Sequence, residues 1–218
     1  LYIADDTTDY IYKTAPVAGS NDILGVTNDG TDLYILVNNT PNDSIMKVST
    51  SGTKDTSWGT NGVLDTDAGD ATGITIVGSN LWVAELQQGM GMPSWEFYSY
   101  AVSDGTAGST FSENQVPMGQ SEPKGLATDG TNLYVGHNQM GMQGMAIYDT
   151  NGNSTGDQLQ LDSMNAVSGL TIRGSDPQII GVNGSSIKTF GIDGTSYDNY
   201  TVGANNLNGA TAIGHVLY

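Results

Sequence analysis

The 218-residue sequence contains no cysteine. That excludes disulfides, thiolate metal sites and a thiol nucleophile. Cationic side chains are nearly as scarce, with six Lys and Arg against 23 Asp and Glu and a formal net charge of −17. The six (Lys13, Lys47, Lys54, Lys124, Arg173 and Lys188) are scattered along the chain. Phosphate backbones and anionic bilayers are held by clustered cations, so neither nucleic acid nor a membrane surface is an expected partner. No apolar run is long enough to span a membrane. No stretch keeps a helical period. The sequence does not begin with Met and shows no signal peptide, so the expectation is a processed mature form or a segment of something longer. Acidic, cysteine-free and lysine-poor composition points to the extracellular space, either secreted or on a cell surface.

Glycine, by contrast, is abundant. There are 30, and together with Asn and Asp they punctuate the chain at the spacing of short strands joined by turns. One phrase recurs: GVTNDGTDLY from Gly25, GITIVGSNLW from Gly73, GLATDGTNLY from Gly125, GLTIRGSDPQ from Gly169, and the final GATAIGHVLY from Gly209. Each copy has Gly first and Gly sixth. Turns such as Asp29-Gly30 and Asp129-Gly130 supply the positive φ of a tight hairpin, and an apolar strand follows (YILV, WVAE, YVGH). A third strand comes later in each unit: SIMKVS, WEFYSYAV, GMAIYDT, SIKTFGI. A weaker fourth follows. Four antiparallel strands in a repeat of about forty residues make a propeller blade.

The expected fold is therefore all-β: a five-bladed propeller of four-stranded antiparallel blades filling residues 1–218 as one domain. Blades start near 25, 73, 125, 169 and 209, the last joined with residues 1–24. In this alignment LYIAD at the head is a second strand and YIYKTA a third. Leu1 and Tyr2 then coincide with Leu217 and Tyr218, so one Leu-Tyr must yield at ring closure or lead to another subunit.

GLATDGTNLYV and LYIADDTTDYIYK resemble the NHL-repeat, YVTN and TolB-like propellers. The resemblance implies a strand of LYVAD type running through a polar loop into the next strand. It covers the whole chain and describes a blade rather than an activity.

On such a ring, second-to-third loops and between-blade connections share one rim, the usual place for binding. Met90, Met92, Met118, Met140, Met142, Met145 and Met164 map to or beside it. Three readings stand: an adaptable protein contact surface, thioether ligands for Cu(I) with His137, or plugs against the blade tops. Asp65, Asp67 and Asp70, in a between-blade connection, are candidate calcium ligands; no cofactor is otherwise required. Asp149, Asn151 and Asn153 resemble part of a calcium loop, but Gln160 stands where an EF-hand needs an acid. Asp65, Asp70, Glu122 and Asp162 are candidates for paired-carboxylate glycoside chemistry. With two His and no Cys, hydrolase signatures are missing and no catalytic residue is assigned. Trp58, on a turn, is an expected exposed aromatic for sugar binding, whereas Trp82 and Trp95 are expected in the core. N-glycosylation sequons start at Asn38, Asn42, Asn153, Asn183 and Asn199.

The expected function is non-enzymatic: a self-associating structural module, such as a filament or surface-layer subunit. The alternative is a lectin-like propeller binding a glycan or small ligand. A calcium-dependent lactonase- or glycosidase-type enzyme comes third.

Overall fold

A computed structural model describes residues 2–5, 10–13, 23–39, 41–87, 94–113, 123–139, 142–161, 169–173, 178–183, 185–201, 209–213 and 216–217. Strands β1 (Tyr2–Asp5) and β2 (Tyr10–Lys13) open the chain. Four sheets follow, each cut from one continuous stretch. The first holds β3 (Ile23–Asn28), β4 (Asp32–Val37), β5 (Ser44–Ser49) and β6 (Val63–Asp65). The second holds β7 (Ala71–Val77), β8 (Asn80–Gln87), β9 (Ser94–Ala101) and β10 (Ala107–Glu113). The third holds β11 (Leu126–Thr128), β12 (Asn132–Gln139), β13 (Met142–Asp149) and β14 (Ser154–Gln160). The fourth holds β15 (Gly169–Arg173), β16 (Gln178–Asn183), β17 (Ser186–Gly191) and β18 (Ser196–Thr201). In each, consecutive strands pair antiparallel. The last strands, β19 (Ala212–Ile213) and β20 (Val216–Leu217), join β1 and β2 in a sheet ordered β19-β20-β1-β2.

The first strands of the sheets are neighbours. β3 lies against β7, β7 against β11, β11 against β15, β15 against β19, and β19 against β3. This is an all-β propeller of four-stranded antiparallel blades, the fold that the NHL-like phrase implies.

The composite sheet corrects the expected strand assignment. LYIAD is its third strand, not its second, because β20 already occupies the second position. β20 pairs with β1 through Ala4↔Leu217 and Asp5↔Val216, and Tyr2 pairs with Lys13. Tyr2 and Leu217 thus sit on neighbouring antiparallel strands. Leu1 and Tyr218 lie outside the described residues.

The core lies between the sheets. Tyr34, Leu36, Ile45 and Trp58 of the first sheet pack on Ile74, Leu81, Val83 and Tyr100 of the second. Trp82, Trp95 and Phe97 of the second meet Leu133, Val135 and Tyr148 of the third. Tyr134, Met145 and Ile147 of the third meet Ile179 and Phe190 of the fourth. Alternation explains this: a blade between two neighbours buries both faces of its middle strands. Hence β4 reads as a continuous apolar run, DLYILV, whose last five residues are all buried.

Candidate functional site

The first glycine of each repeat stands at the propeller axis. A Cβ on Gly73 would lie 2.8 Å from the Leu126 nitrogen and 2.9 Å from Gly125 Cα. One on Gly125 would lie 2.9 Å from the Leu170 nitrogen, and one on Gly209 2.8 Å from Gly25 Cα. Backbone therefore packs on backbone from one blade to the next. The space lined by Gly25, Gly73, Gly125, Gly169 and Gly209 holds about 10 Å³, the lower limit for a single water. The sixth glycine has a different task. Gly30 and Gly130 have φ of 91°, and a Cβ on either would meet nothing within 4 Å, so they serve the hairpin turn alone.

Beside these turns the phrase D-G-T-x-x-Y forms a clamp. Asp29 Oδ1 accepts from the N–H groups of Thr31 and Asp32 at 2.9 and 2.8 Å, and Oδ2 from the Tyr34 hydroxyl at 2.9 Å. Asp129 repeats this with Thr131, Asn132 and Tyr134, at 2.8 Å in each case. Burial alone would raise both carboxyls. The donated hydrogen bonds outweigh it and hold both below their ordinary value, with Lys47 adding to the effect at Asp29. Burial and the Asp129 carboxylate push the Tyr134 hydroxyl up to about 12. The second sheet substitutes Val77 for the Asp and Trp82 for the Tyr. The Trp82 Nε1–H is then buried with no partner among the described residues.

On the rim where binding is expected, two carboxylates that the sequence does not single out organise the connection between the first and second sheets. Asp43 is 1% exposed. Its Oδ2 accepts from the Ala71 N–H at 2.6 Å and its Oδ1 from the Asn39 N–H at 3.1 Å. Its carbonyl accepts from the N–H and hydroxyl of buried Thr66. Glu85, on β8 of the next blade, is equally buried. Its Oε2 accepts from the Gly69 N–H at 2.8 Å, and its Oε1 from the Tyr98 hydroxyl at 2.8 Å and from Gln87 Nε2. Burial raises the Asp43 carboxyl and the negative charges of Asp70 and Glu85 raise it further, against hydrogen bonds from Ala71 and Asn39; the net direction is up. Carboxylates from two successive blades thus grip the connection 66–71 by its backbone. Between them they accept from N–H and O–H donors.

Of the candidate calcium ligands, Asp65 ends β6 while Asp67 and Asp70 sit on this same connection, and all three are exposed. Asp65 accepts from the Ser44 hydroxyl at 3.3 Å, and the Asp67 N–H donates to the Tyr100 hydroxyl at 2.8 Å. Among the described residues no group of three or more His, Cys, Asp or Glu side chains is placed to share an ion. Asp149 directs its carboxylate to the N–H groups of Asn151 and Asn153 and to Asn153 Nδ2, which is turn chemistry. Glu122 and Asp162 lie outside the described residues.

His137 occupies the place in its repeat that Glu85 holds in the preceding one, twelve residues after the first glycine. It is 2% exposed, and neither ring nitrogen has a partner among the described residues. Its ring lies 5.8 Å from that of Trp95, and Gly144 opposite it leaves room that a Cβ would fill at 3.2 Å from Cε1. Burial lowers its pKa. Met142 begins β13, in register with Gln139. Met145 is fully buried in the core between the third and fourth sheets, so it is not a rim surface residue. Met90, Met92, Met118, Met140 and Met164 lie outside the described residues.

Trp58 also departs from expectation. It is 2% exposed, its Nε1–H donates to the Val102 carbonyl at 2.9 Å, and it packs edge-on against Tyr34 at 5.6 Å. A turn-rich setting predicts exposure for this aromatic, but its loop folds back over the seam between two blades. Trp82 and Trp95 are buried, as expected. Asn38, Asn42, Asn153 and Asn199 are exposed, and Asn183 ends β16.

No family model and no curated protein matches this chain. Solved structures do match. A glutaminyl cyclase from Myxococcus xanthus superposes with a TM-score of 0.67 at 12% identity, over 96% of this chain and 94% of that one. A nidogen/laminin complex gives 0.58 at 13% identity, over 94% and 74%. A gluconolactonase from Xanthomonas campestris gives 0.51 at 12% identity, over 83% and 61%. The shared property is the propeller. This chain spans about three fifths of the gluconolactonase's length, and identities this low speak to fold alone.

Proposed function

We propose that this chain is a non-enzymatic extracellular propeller that works through its surface and associates with further copies of itself, as a filament or surface-layer subunit. In this reading the composite sheet is a fifth blade, which completes a closed ring. The closed axis is the observation that supports it most. Ligand pockets commonly enclose some 300–1,000 Å³, whereas here five glycine backbones meet around about 10 Å³. Asp43 and Glu85, the buried acids of the described rim, are used to hold backbone. Among the described residues the axis and this rim connection are thus filled by structural contacts. The acidic, cysteine-free composition supports an extracellular setting. Glycan recognition is the weaker reading, because Trp58, the aromatic that favoured it, is buried.

Copies carrying a net charge of −17 repel one another, and salt screens that repulsion. Sedimentation velocity over a concentration series should therefore show association that strengthens as ionic strength rises, with negative-stain images showing strings or sheets of rings. A chain that stays monomeric at high concentration in both low and high salt overturns the proposal.

A further inference from the structure

The outer strands of the four continuous sheets treat their large apolar side chains in two ways. Leu64 of β6, Phe111 of β10 and Leu159 of β14 pack on the cores between sheets. β18 does the opposite. Tyr197 is 57% exposed and Tyr200 52% exposed. With Ile192, in the turn before them, they are the three exposed large hydrophobic side chains among the described residues. β18 is also the edge of its sheet. An edge presents unpaired backbone groups, which proteins commonly blunt with Lys, Pro or a covering element. Ser-Tyr-Asp-Asn-Tyr-Thr contains neither Lys nor Pro.

We propose that β18 is the contact through which two copies of this chain join, edge to edge and antiparallel, about a twofold axis at Asn199. The proposal names a surface for the self-association inferred above and rests on that reading.

The strand is complementary to itself. Its residues, SYDNYT, read nearly the same in both directions. A twofold pairing of antiparallel strands must also set each residue opposite one from the same face of the sheet. Read straight through, the palindrome fails that condition: its centre lies between Asp198 and Asn199, and its partners fall on opposite faces. The bulge corrects this. The register slips between Thr189↔Asp198 and Phe190↔Ser196, so Tyr197 and Asp198 share one position. Both lie on the face of Thr189 and Gly191, since a Cβ on Gly191 would lie 2.6 Å from the Tyr197 hydroxyl oxygen.

The centre then moves to Asn199. Tyr200 is opposite Ile187, on the same face as Tyr197, whereas Ser196, Asn199 and Thr201 are opposite Phe190, Lys188 and Ser186 on the other. Tyr197 thus meets Tyr200 of the second copy on one face. Ser196 meets Thr201, and Asn199 meets its own counterpart, on the other. Aromatic pairs and hydroxyl pairs are favourable cross-strand neighbours. Charge fits as well. On a chain of net charge −17 this strand carries one acid, Asp198, and the twofold sets it beside Tyr200 rather than beside a second acid.

The absence of cysteine makes the register directly testable. The pairing sets two Asn199 Cα atoms about 4.5–5.5 Å apart, within disulfide range. Mild oxidation of N199C should therefore give a linked dimer severalfold faster than T110C, on the exposed outer strand β10. S196C and T201C should link to each other severalfold faster than either links to itself. N199K sets two cations face to face at the axis, and should weaken association in sedimentation velocity severalfold even though it lowers the net charge. N199C linking no faster than T110C, S196C linking to itself as fast as to T201C, or association indifferent to N199K overturns the proposal. Wild-type association that persists beside any of these results removes this contact and leaves self-association standing. A chain that stays monomeric in low and high salt removes both.

Discussion

Each repeat contributes two glycines five residues apart, and the two regions they occupy could hardly differ more. At the axis Gly73, Gly125 and Gly209 touch the backbone of the next blade, with no room for a methyl group. At the hairpin tips Gly30 and Gly130 have open space around them and a positive φ. One set is required by packing between blades, the other by local conformation. In the sequence they look alike, because both appear simply as Gly at a fixed position. A repeated glycine can thus encode tertiary closure or a turn, and only its surroundings tell which.

The largest predicted effect separates them directly. Gly73→Ala or Gly209→Ala forces a Cβ to within 2.9 Å of neighbouring backbone, and overpacking that cannot be relieved by a side chain costs about 3 kcal/mol. Gly30→Ala or Gly130→Ala meets only the strain of the left-handed conformation, about 1–2 kcal/mol. Gly25→Ala should fall between, since its new methyl meets the movable Ile74 side chain at 3.2 Å. Urea unfolding of the set measures this order. Equal losses at both positions would mean that the ring is not held shut by backbone contact.

The rim gives the next contrast. Glu85→Ala leaves the Gly69 N–H and Tyr98 hydroxyl without their acceptor, a loss of about 2–3 kcal/mol. Asp70→Ala, on the same connection but exposed, should change stability by less than ~0.5 kcal/mol. A larger loss at Asp70 than at Glu85 would mean that the acids on the connection, not those beneath it, hold the rim.

Much of this fold was legible because its signals are local. Gly-first, Gly-sixth phrases and apolar second strands placed the four contiguous blades. Trp82 and Trp95 read correctly as core because both lie on middle strands, whose two faces are covered by neighbouring blades. Trp58 did not, because its burial depends on a loop returning to Val102 in another blade. Asp43 and Glu85 escaped notice for the same reason. An isolated acid on a strand or loop carries no sign of the N–H groups it will meet across a blade boundary, whereas DTDAGD advertises itself by density alone. The head of the chain misled in the opposite way. LYIAD matches the second-strand phrase so well that only pairing with β20 reveals it as a third strand.

A pH effect follows from His137, which holds in its repeat the place that Glu85 holds in the preceding one. Burial lowers the His137 pKa in the folded chain. The unfolded chain therefore binds the extra proton first, near pH 6.5. Stability from the neutral, buried ring is present above that pH. It is lost as pH falls towards the lowered folded value, with a limiting slope of ~1.4 kcal/mol per pH unit. Asp29 and Asp129, held low in the fold, cost stability only at more acidic pH, below their ordinary carboxyl value. Asp43, raised in the fold, works the other way, gaining stability as pH falls towards its ordinary value. Denaturation midpoints between pH 7 and 5 should thus fall in the wild type and flatten in His137→Phe. An unchanged slope in that variant would assign the effect to another group.

The smallest effect tests whether the turn clamps are interchangeable between blades. Asp129 and Tyr134 form a clamp that Val77 and Trp82 replace with apolar packing, leaving an indole N–H with no partner among the described residues. Val77→Asp alone removes core methyls and buries a carboxylate with only the indole N–H beside it, a loss of about 1–3 kcal/mol. Trp82→Tyr alone leaves a buried hydroxyl facing a valine and loses contact with Phe111. Made together they should rebuild the clamp of the neighbouring blades. The double-mutant cycle should then show a favourable coupling of at least ~0.5 kcal/mol. Additive losses would mean that the clamp depends on its own blade's surroundings, and that the second blade is apolar here because its position between two others demands it.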